Sequence, residues 1–271
     1  MNSITDDELQ QFHQTIYGYY EQHGRHDLPW RLDTSPYAIF ISELMLQQTR
    51  VVRVIQKFRD WMKLFPNFSI LAAADQADVL RAWQGLGYNR RARYVHQSAQ
   101  LVMDKFNGQL PEALEELTEL PGVGLNTAGA IMAYAFNKPT VYIETNIRTV
   151  YIHHFFNNQD DVEDKHIIRL VEATLDRERP QHWYWALMDY GVHLKQTKGN
   201  MSRRAKNYKK QSKFEGSFRQ LRAQVLRTVL ANEKIHLAIM KEQFSDERLH
   251  KVLSQLQAEG LITESDERYS G

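Results

Sequence analysis

Two glutamates stand in surroundings that make them candidates for proton and charge chemistry. Glu43 lies within Ser42-Glu43-Leu44-Met45-Leu46-Gln47-Gln48-Thr49, where apolar neighbours predict a partly buried carboxyl. Glu144 lies in Ile143-Glu144-Thr145-Asn146, at the expected start of a helix. Burial disfavours the charged form of a carboxyl, so one such group can stay protonated near pH 7 while a second remains ionised. A neutral acid and a carboxylate together can break a glycosidic bond. The acid protonates the leaving group, and the carboxylate stabilises or attacks the oxocarbenium-like sugar. Between the two in sequence comes Leu120-Pro121-Gly122-Val123-Gly124. Its glycines permit backbone conformations that other residues resist. The helix expected after it opens at Leu125-Asn126-Thr127. The free amides and positive dipole end of that helix suit a phosphate. The plainer alternatives are an ordinary helix–helix turn and a Glu144 that only favours its helix start through the dipole.

These residues must be positioned by helices. Leu9, Phe12, Ile16, Tyr17 and Tyr20 have the spacing of an amphipathic helix over 7–23. The pattern predicts further helices over 36–46 running into 51–62, and over 76–83, 89–106, 114–120, 125–136, 147–156, 165–175 and 181–194. Gly85-Leu86-Gly87, Asn107-Gly108 and Asn137-Lys138-Pro139 punctuate them. The fold class expected is all-α. Residues 195–216 read as a basic linker, because 191–214 holds Lys195, Lys198, Arg203, Arg204, Lys206, Lys209, Lys210 and Lys213 with no acidic residue. Helices predicted at 217–231, 234–241 and 246–259, followed by a short hairpin over 260–269, describe a winged-helix-like module at 217–271.

The formal net charge is only +1. For a nucleic-acid partner the distribution matters more than the sum. The 191–214 stretch and Arg90-Arg91-Ala92-Arg93 supply the spaced cations that phosphate binding needs. A solvated basic face is the alternative. The absence of cysteine excludes disulfides, thiolate zinc sites and iron–sulfur clusters. His153 and His154 are adjacent, so they do not share a helix face, and no metal or other cofactor is expected. With no run of eighteen apolar residues and a polar start, neither a membrane span nor a secretory signal is expected. The expected location is cytoplasmic, at the nucleoid if the cell is prokaryotic.

The chain resembles the helix-hairpin-helix DNA glycosylases, and within them the MutY-type adenine DNA glycosylases. The resemblance rests on Leu28-Pro29-Trp30-Arg31, Pro36-Tyr37, the stretch 42–49 and Gly85-Leu86-Gly87-Tyr88. It continues through Arg91-Ala92-Arg93, Leu120 to Gly124, Thr127-Ala128-Gly129-Ala130 and Ala186-Leu187-Met188-Asp189-Tyr190-Gly191. These stretches follow the family's order over residues 7–194. The resemblance implies a two-lobed glycosylase domain over 1–194, with 24–137 as one lobe and 1–23 plus 138–194 as the other. The partner it implies is double-stranded DNA carrying a damaged or mismatched base, bound by a monomer.

In that reading Glu43 is the general acid at the base, Glu144 faces the sugar, and Asn146 orients Glu144. Trp30, Arg31, Leu46, Asn126 and Asp189 match the base pocket. Gln48 and Tyr88 match positions that wedge into the duplex. The remaining DNA contacts expected are Thr49, Arg91, Gly122, Val123, Gly124, Lys195, Lys198, Arg203, Arg204, Lys209 and Lys210. The chain departs from the family at Glu144, where aspartate is usual, so either the longer side chain folds back or the backbone sits farther from the sugar. It departs again at Asn126, because glycosylases that also cut the strand carry a lysine there as Schiff-base nucleophile. A monofunctional enzyme is therefore expected. The cluster cysteines that follow the Met-Asp-X-Gly helix are missing, and Lys195 stands at the first of them. Nothing in 217–271 resembles the family's domain that checks for 8-oxoguanine. Adenine is the best single substrate, with hypoxanthine or a mismatched pyrimidine as alternatives. A non-catalytic DNA-binding protein on the same fold is a third reading.

Overall fold

A computed structural model describes residues 4–156, 159–210 and 212–271. The chain is mostly helical, in the order α1 (Asp6–His23), α2 (Pro29–Leu32), α3 (Pro36–Leu46), α4 (Val51–Leu64), α5 (Phe68–Ala73), α6 (Gln76–Trp83) and α7 (Arg90–Lys105). Then come α8 (Leu114–Thr118), α9 (Leu125–Phe136), α10 (Thr145–Phe155), α11 (Asp164–Thr174) and α12 (Pro180–Thr197). The remainder is α13 (Phe218–Ala231), β1 (Ile235–His236), α14 (Leu237–Gln243), α15 (Leu249–Ala258), β2 (Thr263–Ser265) and β3 (Arg268–Ser270). Local signals explain many of these boundaries. Thr5 and Glu8 form a reciprocal capping box at α1, and Asn67, Asp75 and Ser217 cap α5, α6 and α13 through their side chains. Proline opens α2 and α12, where a missing amide costs nothing.

The chain divides into two compact units. The first comprises residues 4–43, 112–119 and 123–210. Its core sits where α12 packs on α1 and α10, with Trp183, Tyr184, Tyr151 and Ile16 buried. The second comprises 44–111, 120–122 and 212–271. Trp61 and Trp83 meet there edge to face at 5.5 Å, in a core made by α4, α5, α6 and α7. This division differs from the expected lobes. The expected linker at 195–216 is built into the first unit for most of its length, and its Gln211 lies outside the described residues. Met201–Arg204 forms a 3₁₀ turn, Ser202 and Ala205 are buried, and the segment bonds to Val162 through the Arg204 carbonyl and the Lys206 amide, both at 3.0 Å.

The C-terminal module has the winged-helix arrangement expected, with an added strand. Its antiparallel sheet runs β1-β3-β2, and β1 was too short to show any periodicity. It belongs to the second unit and is fastened there through the end of α15. Glu259 receives Arg90 at 2.6 Å and Arg222 at 2.7 Å, while Arg93 donates to its backbone carbonyl. Gln76 donates to the Gly260 carbonyl at 2.7 Å, and Arg81 to that of Leu230 at 3.2 Å. Arg90 and Arg93, read from sequence as part of a phosphate-binding cluster, therefore serve to dock the module. A strongly paired cation gains little from a phosphate, because it must first give up its carboxylate.

The helices expected over 36–46 and 51–62 are found as α3 and α4, with a break between them at Gln47-Gln48-Thr49. Gln48 turns left-handed there, with φ of 53°. The break is stabilised by Arg91, which is only 5% exposed. Its guanidinium takes bonds to the carbonyls of Leu44, Met45 and Gln47 at 2.7, 3.0 and 2.6 Å. It also bonds Thr49 Oγ1 and the carbonyls of Leu86 and Gly87. Helix ends leave carbonyls without intrahelical partners. Arg91 satisfies those of α3 from inside the core.

Candidate active site

Glu43 is half-buried on α3, between the buried Ser42 and Leu44. Its carboxyl is pushed up to about 8, first by burial and then by the negative charge of Glu144. Glu144 is the N-cap of α10. Its Oε1 accepts from the Ile147 amide at 3.0 Å and from the Asn146 amide. The extra methylene relative to aspartate is thus taken up by folding back onto the helix start. The capping role and the proximity to Glu43 are both realised. Burial raises the Glu144 pKa, while Lys195, the two amides and Arg148 oppose that rise. Of the two carboxyls, Glu144 has the partners that favour a charge, and Glu43 holds its proton at neutral pH.

Two phenols complete this cluster. Tyr134 on α9 and Tyr142 are both buried, and both feel the field of Glu43. Burial holds both phenols well above the ordinary range, so they stay protonated. Gly129 makes this possible, because a Cβ there would lie 2.9 Å from the Tyr142 Cβ. Sequence reasoning missed both tyrosines. Their only signal was position, Tyr142 two residues before Glu144 and Tyr134 eight after Asn126.

Arg31 and Asp189, matched separately to a base pocket, bind each other. Arg31 forks onto Asp189 at 2.7 and 2.9 Å, and Arg25 adds side-chain and backbone bonds. Burial pushes Asp189 up, but these partners outweigh it and hold its carboxyl below the usual range. Arg31 also lies over the rings of Tyr20 and Trp185, and its charge reaches Tyr134. Trp30 is buried beside Arg31 in sequence. Asn126 is exposed, and its Oδ1 accepts from the Ile143 amide at 3.4 Å, which ties the start of α9 to the segment leading into Glu144. Leu46 is half-buried at the end of α3, in the second unit.

At the glycine hairpin, Gly122 has φ of 82°, and a Cβ there would meet Tyr94 at 3.0 Å. Val123 is buried, so it anchors the turn and offers no side chain to a ligand. Gly124 caps α9 without any side-chain bond, and Leu125 beside it is 71% exposed. The amide end of α9 is open to an anion. Gln47 braces the turn through the Gly122 carbonyl at 3.1 Å.

Gln48 and Tyr88 are exposed on neighbouring bends and both have positive φ. Arg219 of the C-terminal module donates to the Tyr88 hydroxyl at 2.9 Å. Thr49 and Arg91, expected to contact DNA, pin these bends together: Thr49 Oγ1 also donates to the Leu86 carbonyl at 3.1 Å. Of the basic stretch, Lys198, Arg203, Lys209 and Lys210 are exposed as expected. Arg204 is not, since it bonds the Phe156 and Gln159 carbonyls and Asp160. Lys195 turns inward and donates to Asn146 Oδ1 at 2.6 Å. An iron–sulfur cluster does not fit here, because the chain supplies no thiolate and the first expected ligand position holds this lysine. Among the described residues no group of His, Cys, Asp or Glu is placed to hold a metal ion, and no helix is long and apolar enough to cross a membrane.

Residues 41–174 match the model of the HhH-GPD superfamily base excision DNA repair proteins. The chain is 38% identical over 185 residues to the adenine DNA glycosylase of Buchnera aphidicola subsp. Baizongia pistaciae, covering 67% of this chain and 52% of that protein. It is 43% identical over 130 residues to that of Mycobacterium tuberculosis (strain H37Rv), covering 48% of this chain and 43% of that protein. The chain thus spans about half the length of the curated relatives it matches. Among solved structures it is similar to a thermostable thymine-DNA glycosylase, with a TM-score of 0.63, 23% identity, and coverage of 74% of this chain and 97% of that one. That likeness concerns the fold.

Proposed function

Because the chain belongs to the HhH-GPD superfamily of base excision DNA repair proteins and the curated proteins it is similar to include adenine DNA glycosylases, we propose that it is a monofunctional glycosylase that removes a purine, adenine first, from duplex DNA. The observation that carries this reading is the carboxyl pair. Glu43 is neutral at pH 7 and Glu144 is held by two amides and faced by Lys195. Glu43 donates its proton to a ring nitrogen of the flipped base, and the N-glycosidic bond breaks with its electrons leaving on the base. Glu144 stabilises the positive charge that develops on the sugar. Water then adds its oxygen to the anomeric carbon and loses a proton, which can return to Glu43, giving free base and an intact abasic site. Asn126 carries no amine, so no Schiff base forms at the hairpin. Gln48 and Tyr88 fill the gap left by the flipped base, whose unstacking costs a few kcal/mol. The exposed Lys198, Arg203, Lys209 and Lys210 and the amide end of α9 hold phosphates.

Single-turnover assays on duplexes carrying adenine, hypoxanthine or thymine opposite guanine or 8-oxoguanine test the proposal. Excision of adenine is expected, lost in Glu43→Gln, with strand breaks only after alkali and no adduct trapped by borohydride. Absence of excision from every duplex by the wild-type protein refutes it.

A further inference from the structure

We propose that Lys195 is a positioning residue of the two-carboxylate site: seated through Asn146 beside Glu144, its ammonium keeps the negative charge on Glu144 and leaves the proton of the pair on Glu43. The inference rests on the two-carboxylate reading above and adds a third member to it.

The geometry is specific. Lys195 is in the last turn of α12, half-buried, and its Nζ donates to Asn146 Oδ1 at 2.6 Å. The backbone N–H of the same Asn146 donates to Glu144 Oε1, so one residue links the ammonium to the carboxylate. One helical turn earlier on α12 stands Gly191. A Cβ there would lie 2.5 Å from the Asn146 carbonyl oxygen and 2.7 Å from its Cβ. The glycine lets α12 approach until a side chain four residues on reaches Asn146. Helical spacing places residues four apart on one face, so Gly191 and Lys195 act together in seating Asn146.

The surrounding charges decide what the ammonium does. Glu144 is faced by Glu43 from α3, by Arg148 from its own helix and by Lys195 from α12. Arg148 forks onto Asp164 at 2.9 and 2.8 Å, so much of its charge is already answered. Lys195 is accordingly the larger cationic influence on Glu144. Burial lowers the lysine's own pKa, while Glu144 opposes that drop, as a coupled pair requires. Two buried carboxyls that repel each other share one proton, and which of them keeps it depends on the partner charges. A proton on Glu144 would leave Glu43 unable to act as acid and would remove the negative charge facing the sugar. The same arrangement explains why this cation is turned inward, unlike Lys198 three residues later.

The test reads the carboxyls directly, without substrate. Protein labelled with carboxyl-¹³C glutamate is titrated by NMR as wild type, Lys195→Met and Lys195→Arg, with Glu43→Gln and Glu144→Gln assigning the two signals. Loss of the ammonium in Lys195→Met is expected to move the Glu144 titration up by about one pH unit, and Lys195→Arg is expected to return it. Single-turnover excision by Lys195→Met should then fall about tenfold on the acid side of the optimum, with partial recovery in Lys195→Arg. A Glu144 titration that stays within a few tenths of a pH unit in Lys195→Met overturns the inference. So does an Lys195→Arg titration that follows Lys195→Met, since charge would then not be the operative property. The titration is independent of excision, so an inactive wild type would count against the glycosylase reading alone.

Discussion

Replacing Glu43 by glutamine should make the folded protein more stable than wild type, and increasingly so as pH rises. In the folded state the Glu43 carboxyl is carried from an ordinary 4.5 to about 8 by burial and by Glu144. Below pH 4.5 folded and unfolded chains both keep the proton, and the acid and the amide are nearly equivalent in size and polarity. Between 4.5 and about 8 the unfolded chain has lost the proton and the folded protein still binds it, so wild-type stability falls with pH. Each tenfold change in proton affinity is worth about 1.4 kcal/mol. The full displacement therefore costs the wild type at most about 5 kcal/mol above pH 8. Glu43 is half-buried and not sealed from water, so roughly 3 kcal/mol is the working expectation. Urea denaturation followed by tryptophan fluorescence at pH 5 and pH 8.5 measures it, as the difference between variant and wild type at each pH. That difference should grow by roughly 3 kcal/mol, while excision by the variant is lost at both values. A difference that stays within about 1 kcal/mol across the range would show that Glu43 carries no displaced proton, and the neutral-acid mechanism would lose its physical basis.

Three further outcomes are expected. Glu144→Gln keeps a cap acceptor for α10 but removes the charge, so melting temperature should hold while single-turnover excision falls by about a hundredfold or more, in the range seen when a transition-state electrostatic partner is removed; wild-type rates would make Glu144 a cap only. Neutralising Lys198, Arg203, Lys209 and Lys210 together should reduce the slope of log affinity against log salt by about 3.6 in duplex-binding titrations, because each of the four phosphate contacts contributes about 0.9; an unchanged slope would remove the segment from the DNA interface. Arg91→Met should destabilise the protein by roughly 3 kcal/mol or more, since it removes the guanidinium donors from the carbonyls of Leu44, Met45, Gln47, Leu86 and Gly87, and hydrogen exchange should rise first at those two bends; protection equal to wild type would refute the pinning role.

Much of the helical framework was legible in the chain. Predicted and observed helices coincide at Gln76–Trp83 and Leu125–Phe136 and differ by one to three residues at α1, α7, α10, α11 and α12. The reason is that apolar periodicity and capping residues act within a few turns. The short α2 and α5 escaped, because four and six residues give too little period to recognise. Glu43 and Glu144 were legible as residue types in context, and the structure brings them into one electrostatic cluster with Tyr134 and Tyr142.

What tertiary structure decided was the assignment of partners to the charged side chains. Arg90, Arg91, Arg93, Lys195 and Arg204 looked alike in sequence, a supply of cations for phosphates. Packing gave Arg90 and Arg93 to Glu259, 169 and 166 residues away. It buried Arg91 under the end of α3, tied Arg204 to Phe156, Gln159 and Asp160, and turned Lys195 onto Asn146, 49 residues back in the chain. A long cationic side chain has no preferred partner at the level of local sequence. Its bond is chosen by whichever carbonyl or carboxylate the folded backbone places within about 3 Å, and that distance exists only once helices far apart in the chain have packed.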